Sequence, residues 1–521
     1  MRTATFCLTI LVGIGLPVSG ATGQTYPVAD PVLQRIWGEG MENSQLYPLA
    51  QALLDSIGPR LTGTPGQKAA NDWAVAMFDR WGIDARNEQY GTWKGWRRGI
   101  SHIDLIQPRV RSLEGTMLAW SPGTPRGRPV EGAVVILPDL PDSTAYATWL
   151  PQVRDKFVAV SMPQPTCRAD ASWEEYGTEE SFERMKNERT AARRRWQERL
   201  RRTGYSNREL PRALERAGAL GILTSRWSGY WGATRIFQAR TDSVPTFDLS
   251  CEDYGLVARL AEHDQNPVVR MQADAEFMGE VPIFNTIATI RGTEKPDEYI
   301  LLSAHFDSWD GASGATDNGT GSLTMIEAAR ILSIAYPHPK RTILIGLWTS
   351  EEQGLNGSRA FARDHPEVID GLQALFNQDN GTGRVQTISM QGLVGAGPFF
   401  AGWFAKIPSE LTGDIGFQIP GNPSGGGSDH ASFICSGAPA FGLFSRNWDY
   451  FQYTWHTNRD TFDKIVFDDL KQNATLFAML AYLASEEPAR IPRDRRVMPV
   501  SPRTGEQRSW PECRDGARSW R

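Results

Sequence analysis

Tyr299-Ile300-Leu301-Leu302-Ser303-Ala304 runs directly into His305-Phe306-Asp307. The first six residues show no polar/apolar alternation, which reads as a strand buried on both faces. Working outward, Thr320 to Ala335 reads as a helix, Arg341 to Trp348 as the next strand, Asn356 to Arg363 as a helix and Leu372 to Phe376 as another strand. Gly442-Leu443-Phe444 is a further strand, and Asp468 to Ser485 a long closing helix. Strands alternating with helices specify an α/β fold, a doubly wound mixed sheet with helices on both faces.

The ends of these strands carry the chemistry. His305 directly follows one strand, Glu351 and Glu352 follow another, and Asp379 follows a third. Ligands in open α/β sheets sit at the carboxyl ends of strands, so three strand ends bring imidazole and carboxylate to one rim. Asp317 lies in a Gly-rich loop just before a helix, and His456 in a late loop. Taken singly, each residue is more often a hydrogen-bonded structural group, solvated surface or a turn. Taken together, His305, Asp317, Glu352, Asp379 and His456 form a ligand set for two zinc ions sharing one carboxylate, with Glu351 left over as a general base. Histidine and carboxylate without thiolate suit catalytic rather than structural zinc.

A chain of 521 residues exceeds what one hydrophobic core usually supports. A net charge of −5 from 55 basic and 60 acidic residues gives no reason to expect nucleic acid or an anionic membrane as partner. At the N-terminus, Arg2, the apolar run Phe6 to Leu16 and the small residues Ala21-Thr22-Gly23 read as a cleaved signal peptide over 1–23. The run is too short to span a bilayer, and no later segment is long and apolar enough to do so. The expected location is therefore secreted or periplasmic, without stable membrane insertion. Cys7 leaves with the signal; Cys167, Cys251, Cys435 and Cys513 remain, as two disulfides in one of three pairings or as free buried thiols.

The texture divides the mature chain. Residues 24–125 read as a first part of the catalytic domain, with Leu46, Leu49, Leu53, Leu54 and Ile57 at helical spacing until Gly58-Pro59 stops the helix. A second amphipathic helix runs from about Gly66 to Trp81. From 126 to 280, short β-rich runs separated by Pro and Gly, such as Val134-Val135-Ile136-Leu137 and Gly221-Ile222-Leu223, suggest an inserted smaller domain. Its charged stretch 172–202 mixes Arg with Glu and reads as a solvated helical excursion. Residues 281–487 hold the candidate metal site, and 488–521 read as a surface arm.

Three strings make the sequence recognisable: His305-Phe306-Asp307-Ser308-Trp309-Asp310, Gly314-Ala315-Thr316-Asp317-Asn318-Gly319-Thr320-Gly321, and Trp348-Thr349-Ser350-Glu351-Glu352-Gln353-Gly354-Leu355-Asn356-Gly357-Ser358. They resemble the co-catalytic di-zinc exopeptidases, the family of bacterial leucyl aminopeptidases and plasma glutamate carboxypeptidase. The likeness is closest to the carboxypeptidase Q branch, through the His-x-Asp-Ser-Trp-Asp string and Ile57-Gly58-Pro59-Arg60-Leu61-Thr62-Gly63. The resemblance implies a protease-associated domain at 126–280. It implies that Asp317 bridges two Zn2+ per chain, that His305 and Asp379 complete one ion and Glu352 and His456 the other, and that Glu351 is the general base. Asp307 would stand behind His305 and fix its tautomer, and the Asp317–Asn318 bond would be cis. Gly427-Ser428-Asp429-His430-Ala431-Ser432-Phe433 resembles a string near the site in aminopeptidase members, so Asn318, Ser428, Asp429 and His430 are candidate supporting or substrate-contacting residues. Short peptides are the implied substrates, with trimming from the amino end, from the carboxyl end or of dipeptides all open. Family members are often dimers, which makes a homodimer the candidate assembly. Two rivals share the fold: a glutaminyl cyclase-like acyltransferase, which also places Trp before the last ligand His, and a non-catalytic binding protein of the transferrin-receptor kind. His102, His263, His338 and His365 sit in no comparable setting and read as surface residues.

Overall fold

A computed structural model describes residues 29–520. The signal-peptide reading, including Cys7 and the cleavage region, lies outside the described residues. Fourteen strands build the sheet system. In chain order they are β1 (Asp84–Gln107), β2 (Arg111–Leu113), β3 (Gly115–Met117), β4 (Val130–Ile136), β5 (Phe157–Ala159), β6 (Gly221–Thr224), β7 (Thr246–Leu249), β8 (Val268–Ile290), β9 (Lys295–His305), β10 (Arg341–Trp348), β11 (Leu372–Asn377), β12 (Val385–Ser389), β13 (Gly416–Gln418) and β14 (Ala440–Ser445).

The order along the main path is β13-β12-β14-β11-β9-β10-β8-β4-β5-β6-β7-β3. Strands β10, β9, β11 and β14 run parallel, and β8 and β12 flank them antiparallel. This is the mixed doubly wound sheet expected from the alternation. Its central members are buried throughout: all eight residues of β10 and all six of β11 lie inside, as continuous apolar runs require. Helices 320–335 and 467–486 pack on each other and on β9. Trp348, at the end of β10, meets Phe361 of helix 356–364 and Phe433.

The second layer is parallel along β4, β5, β6 and β7, with β3 antiparallel at its edge. Strands β1 and β8 were not legible as long strands, yet they form an antiparallel ribbon that pairs Asp84 with Thr289 at one end and Gln107 with Val268 at the other. Residues 286–290 of β8 pair with β10, while 268–271 pair with β4. One strand thus serves both layers and runs without a break through the expected boundary at 280/281. Register shifts at Gln89/Gly91, Gly95/Trp96 and Arg98/Ser101 interrupt the alternation of its side chains, which hid the ribbon from a period-based reading.

The charged stretch forms helix 179–202, with only Met185 and Trp196 buried. Thr178 caps it, Glu179 and Glu180 occupy its first turn, and Arg199, Arg201 and Arg202 its last, which complements the helix dipole. The four cysteines pair as Cys167–Cys251 and Cys435–Cys513. The second disulfide straps the arm onto the catalytic half. There Trp510 donates to the Ile434 carbonyl, Ala517 N–H to Asn356, and Trp520 packs between Trp93 and Trp120.

Candidate metal centre

His305 ends β9 and is almost fully buried, at 1% exposure. Its Nδ1 lies 3.0 Å from the main-chain oxygen of Asp307. A proton on Nδ1 satisfies that carbonyl and leaves Nε2 as a bare lone pair. Nε2 faces Asp379 Oδ1 at 3.0 Å and Asp317 Oδ1 at 3.3 Å. The other oxygen of Asp317 faces His456 Nε2 at 3.1 Å, and Glu352 Oε2 faces the same nitrogen at 2.9 Å. Asp317 therefore offers one oxygen to each imidazole.

Two compact groups of ligand atoms result: His305, Glu351 and Asp379, and Asp317, Glu352 and His456, each within 4.8 Å. Each Nε2 has two carboxylate oxygens about it and could hold at most one proton. Asp317 Oδ2 and Glu352 Oε1 are buried without a hydrogen-bond donor. Four carboxylates, Asp317 buried and Glu351, Glu352 and Asp379 partly so, against two imidazoles leave excess negative charge that hydrogen bonds alone do not neutralise. The donor set, all nitrogen and oxygen, fits zinc.

Titration behaviour follows from the same crowding. Burial pushes the Glu351 carboxyl well above its usual range, and Asp379, Asp429 and Glu352 push it further, against the pull of His305. Burial takes Glu352 up to about 7 and also raises Asp379. Asp317 goes the other way: His456 and His305 outweigh its burial and hold it low. His456 rises to about 10, because Glu352 and Asp317 overcome its desolvation.

Local structure explains the placement. Asp317 sits in the wide turn 315–319 that opens helix 320–335, and its bond to Asn318 is cis. Asn318 donates to the Gln378 carbonyl at 2.9 Å and accepts from Gly321 N–H, tying this turn to the end of β11. The Asp307 carboxylate lies beside His305 and also serves a second group. Its Oδ1 is 3.6 Å from Nδ1, and its two oxygens accept from the main-chain N–H groups of Glu351 (3.1 Å) and Glu352 (3.3 Å). The His305 tautomer is fixed by the Asp307 main chain, while the side chain holds the Glu351-Glu352 turn.

Of the supporting candidates, Ser428 accepts from Asn377 of β11 at 2.8 Å. Asp429 is fully buried with neither oxygen hydrogen-bonded, and burial pushes it up to about 7. His430 contacts Ser424 at 3.0 Å and is held neutral by burial, which lowers it to about 4. Among the remaining histidines, His365 is only partly exposed. It pairs with Glu88 at 2.7 Å and lies against Phe361.

Three residues that sequence reading missed hold the loops. Asp460, four positions after His456, accepts from Thr316 N–H and Oγ1 and from Asp317 N–H. Tyr90 places its hydroxyl 2.9 Å from both the Thr349 carbonyl and Ser350 Oγ, just before the paired glutamates. Arg60 is completely buried and donates to the carbonyls of Gly58, Phe306, Ser313 and Gly314. Its position inside Gly58-Pro59-Arg60-Leu61 was visible; its role was not, because three of the four acceptors lie about 250 residues away. Arg60→Met should cost about 3 kcal/mol or more in denaturant unfolding, because it strands buried carbonyls around the metal turn. A cost under 1 kcal/mol would show that water replaces the guanidinium.

The ligands open onto a cavity of about 680 Å³. Gly425 to Gly427, Phe444, Tyr450, Phe451 and Trp455 line its walls, together with Arg359 and with Arg514 from the arm. The second layer supplies the back of the His456 loop: Phe237 and Trp309 pack edge-on against its ring, and Ile236 N–H donates to its carbonyl at 2.7 Å.

Comparison with known proteins agrees with this geometry. The model of peptidase family M28 matches residues 285–481, a span that contains all five candidate ligands and Glu351. Human carboxypeptidase Q is 23% identical over 460 residues, covering 87% of this chain and 88% of that protein. Rat carboxypeptidase Q is 24% identical with the same coverage. The crystal structure of a peptidase M28 precursor from Shewanella amazonensis has the same fold, with a TM-score of 0.64 at 24% identity, covering 88% of this chain and 97% of that one. A zinc aminopeptidase from Bacillus subtilis superposes with a TM-score of 0.53 at 18% identity, covering 86% of this chain and 96% of that one. The segment in which the site converges, residues 285–481, is thus similar to peptidase family M28, and most of the chain is similar to carboxypeptidase Q.

Proposed function

We propose that the protein is an exported di-zinc exopeptidase that removes residues from the carboxyl end of short peptides. One observation carries the two-metal reading: Asp317 turns one oxygen to His305 and the other to His456. His305 and Asp379 would hold one ion, Glu352 and His456 the other, with Asp317 between them. When bound, the ions would supply Lewis acidity for an attacking water and for the charge that develops on the peptide carbonyl. Glu351 takes the proton of that water and returns it to the leaving amine, a role suited to a buried carboxylate with a raised pKa. The Asp307 carboxylate keeps Glu351 aimed by holding the N–H groups of its turn. His430 stays neutral beside the glycine loop and adds no charge to the cleft.

The carboxyl-end preference rests on which charges remain once the metal centre is set aside. Arg359 and Arg514 line the cavity, and every carboxylate lining it belongs to the metal centre. Arg359 uses a donor on the Gly354 carbonyl, and neither guanidinium has a carboxylate partner within ion-pair distance. A free α-carboxylate finds two cations there, whereas a free α-amine finds no spare anion. Export is supported by the two disulfides, and no helix among the described residues is long and apolar enough to cross a membrane. The layer built on β4 to β7 stands as the protease-associated insert, packed behind His456.

A mass-spectrometric digest of a mixed short-peptide library, with zinc and after chelation, tests this reading. Zinc-dependent loss of carboxyl-terminal residues is expected. Trimming from the amino end, or loss of ammonia from peptides that begin with Gln, would overturn it. In the same assay Arg514→Ala should raise KM roughly tenfold with kcat nearly unchanged, since it removes a contact made equally to substrate and transition state.

A further inference from the structure

The second layer carries a cavity of its own, of about 380 Å³, that shares no lining residue with the metal cleft. It opens where β5 and β6 end: Val160, Ser161 and Met162 follow one strand, Ser225 and Arg226 the other. The carboxyl ends of neighbouring parallel strands are where open α/β sheets place ligands. One wall is apolar and includes Leu118, Trp196 and Leu200. The lining also includes two arginines, Arg226 and Arg240, close enough for their like charges to act on each other.

The guanidiniums of these arginines form no ion pair among the described residues, although the main-chain N–H of Arg226 donates to Asp248 at 3.1 Å. Neither the Arg226 nor the Arg240 guanidinium has a carboxylate within 4 Å among the described residues, and nor does that of the nearby Arg208. Arg212, the fourth of the group, is taken up by Asp242 at 2.9 Å. Arg240 is lowered by burial, and further by the like charges of Arg208, Arg226 and Arg212. Its one acceptor is neutral, the Gln238 carbonyl oxygen, in the amide orientation that satisfies both groups. Arg226 spreads over the Phe237 ring, 5.1 Å from its centroid, which fixes its plane. No Asp or Glu lines the cavity, so an ammonium group would find no carboxylate inside.

We propose that this cavity binds a small organic monocarboxylate that lacks a neighbouring amine, with the carboxylate between Arg226 and Arg240 and an apolar body against Trp196 and Leu200. Paired guanidiniums match a carboxylate bidentately, and the apolar wall distinguishes such an acid from a bare anion. The site is independent of the metals and of the peptidase reading.

The test is calorimetric titration of the zinc-loaded full chain with 3-phenylpropionate. Inorganic phosphate, 3-phenylpropylamine and 3-phenylpropan-1-ol serve as the bare anion, the cation and the neutral isostere. Carboxylates can also reach the metal cleft, so Arg240→Gln and Arg514→Ala are titrated in parallel. The expected result is saturable binding that Arg240→Gln weakens by roughly tenfold or more, that Arg514→Ala leaves in place, and that neither amine nor alcohol reproduces. Crystals soaked in the probe should show it between Arg226 and Arg240. Binding that ignores Arg240→Gln, or that phosphate or the alcohol matches, overturns the proposal. If circular dichroism shows Arg240→Gln to be unfolded, Arg240→Lys decides: severalfold weaker binding supports the bidentate site, and unchanged affinity overturns it.

Discussion

Glu351→Gln keeps the metal content and melting temperature of the parent protein while kcat falls by roughly 10²–10⁴-fold, the range that a positioned general base contributes. The substitution preserves shape and leaves the main-chain N–H that Asp307 holds. It removes only the capacity to accept a proton. Burial and neighbouring carboxylates already push Glu351 above the normal range, so an amide there relieves like-charge crowding and does not destabilise the fold. Metal content by atomic emission and kcat on one short peptide suffice to check it. A variant with wild-type zinc and activity within tenfold of the parent would remove Glu351 from the proton path. A variant that lost zinc would make Glu351 a ligand.

Under the proposed two-metal reading, Asp317→Ala strikes both ions at once. Its two oxygens face the two imidazoles, so its loss should drop bound zinc below one equivalent per chain and abolish turnover. His456→Ala, which removes one ligand from one group, should leave about one equivalent. Zinc counted after dialysis separates the two outcomes without any activity assay. The same ions should support the fold. A ligand present at about 1,000 times its Kd stabilises by about 4 kcal/mol, and the excess negative charge of the empty centre adds repulsion. Chelation should therefore lower the calorimetric melting temperature of the parent by several degrees and change that of Asp317→Ala little. Equal shifts in both proteins would place the stabilising metal elsewhere.

The catalytic half was legible because its strands are short, apolar and end in chemistry. Arg341–Trp348 and Thr320–Ala335 appear with the boundaries that periodicity suggests. The cluster itself could be anticipated from strand ends. What stayed hidden is long-range or irregular. The ribbon of β1 and β8 is bulged and half exposed, so neither period two nor apolar content marks it. Arg60, Tyr90 and Asp460 act through contacts more than 140 residues apart in sequence, and an isolated Arg, Tyr or Asp carries no local signature. Arg514 looked like part of a surface arm because nothing in its neighbourhood shows that Cys513 bonds to Cys435 and brings it to the cleft. The hold of the Asp307 carboxylate on the Glu351-Glu352 turn went unread because those N–H groups lie about 45 residues further along the chain.

The ribbon has a mechanical meaning. Because β8 hydrogen-bonds to β10 at one end and β4 at the other, no flexible tether separates the two halves of the molecule. Opening the wall behind His456 requires elastic torsion of a doubly stranded beam, which stores energy along its whole length, instead of free rotation about a joint. Its irregular pairings near Gly91, Gly95 and Ser101 are the compliant points where that torsion concentrates. A distortion of this ribbon is therefore felt in both layers, at the strand beside the metal rim and at the strand that begins the second layer.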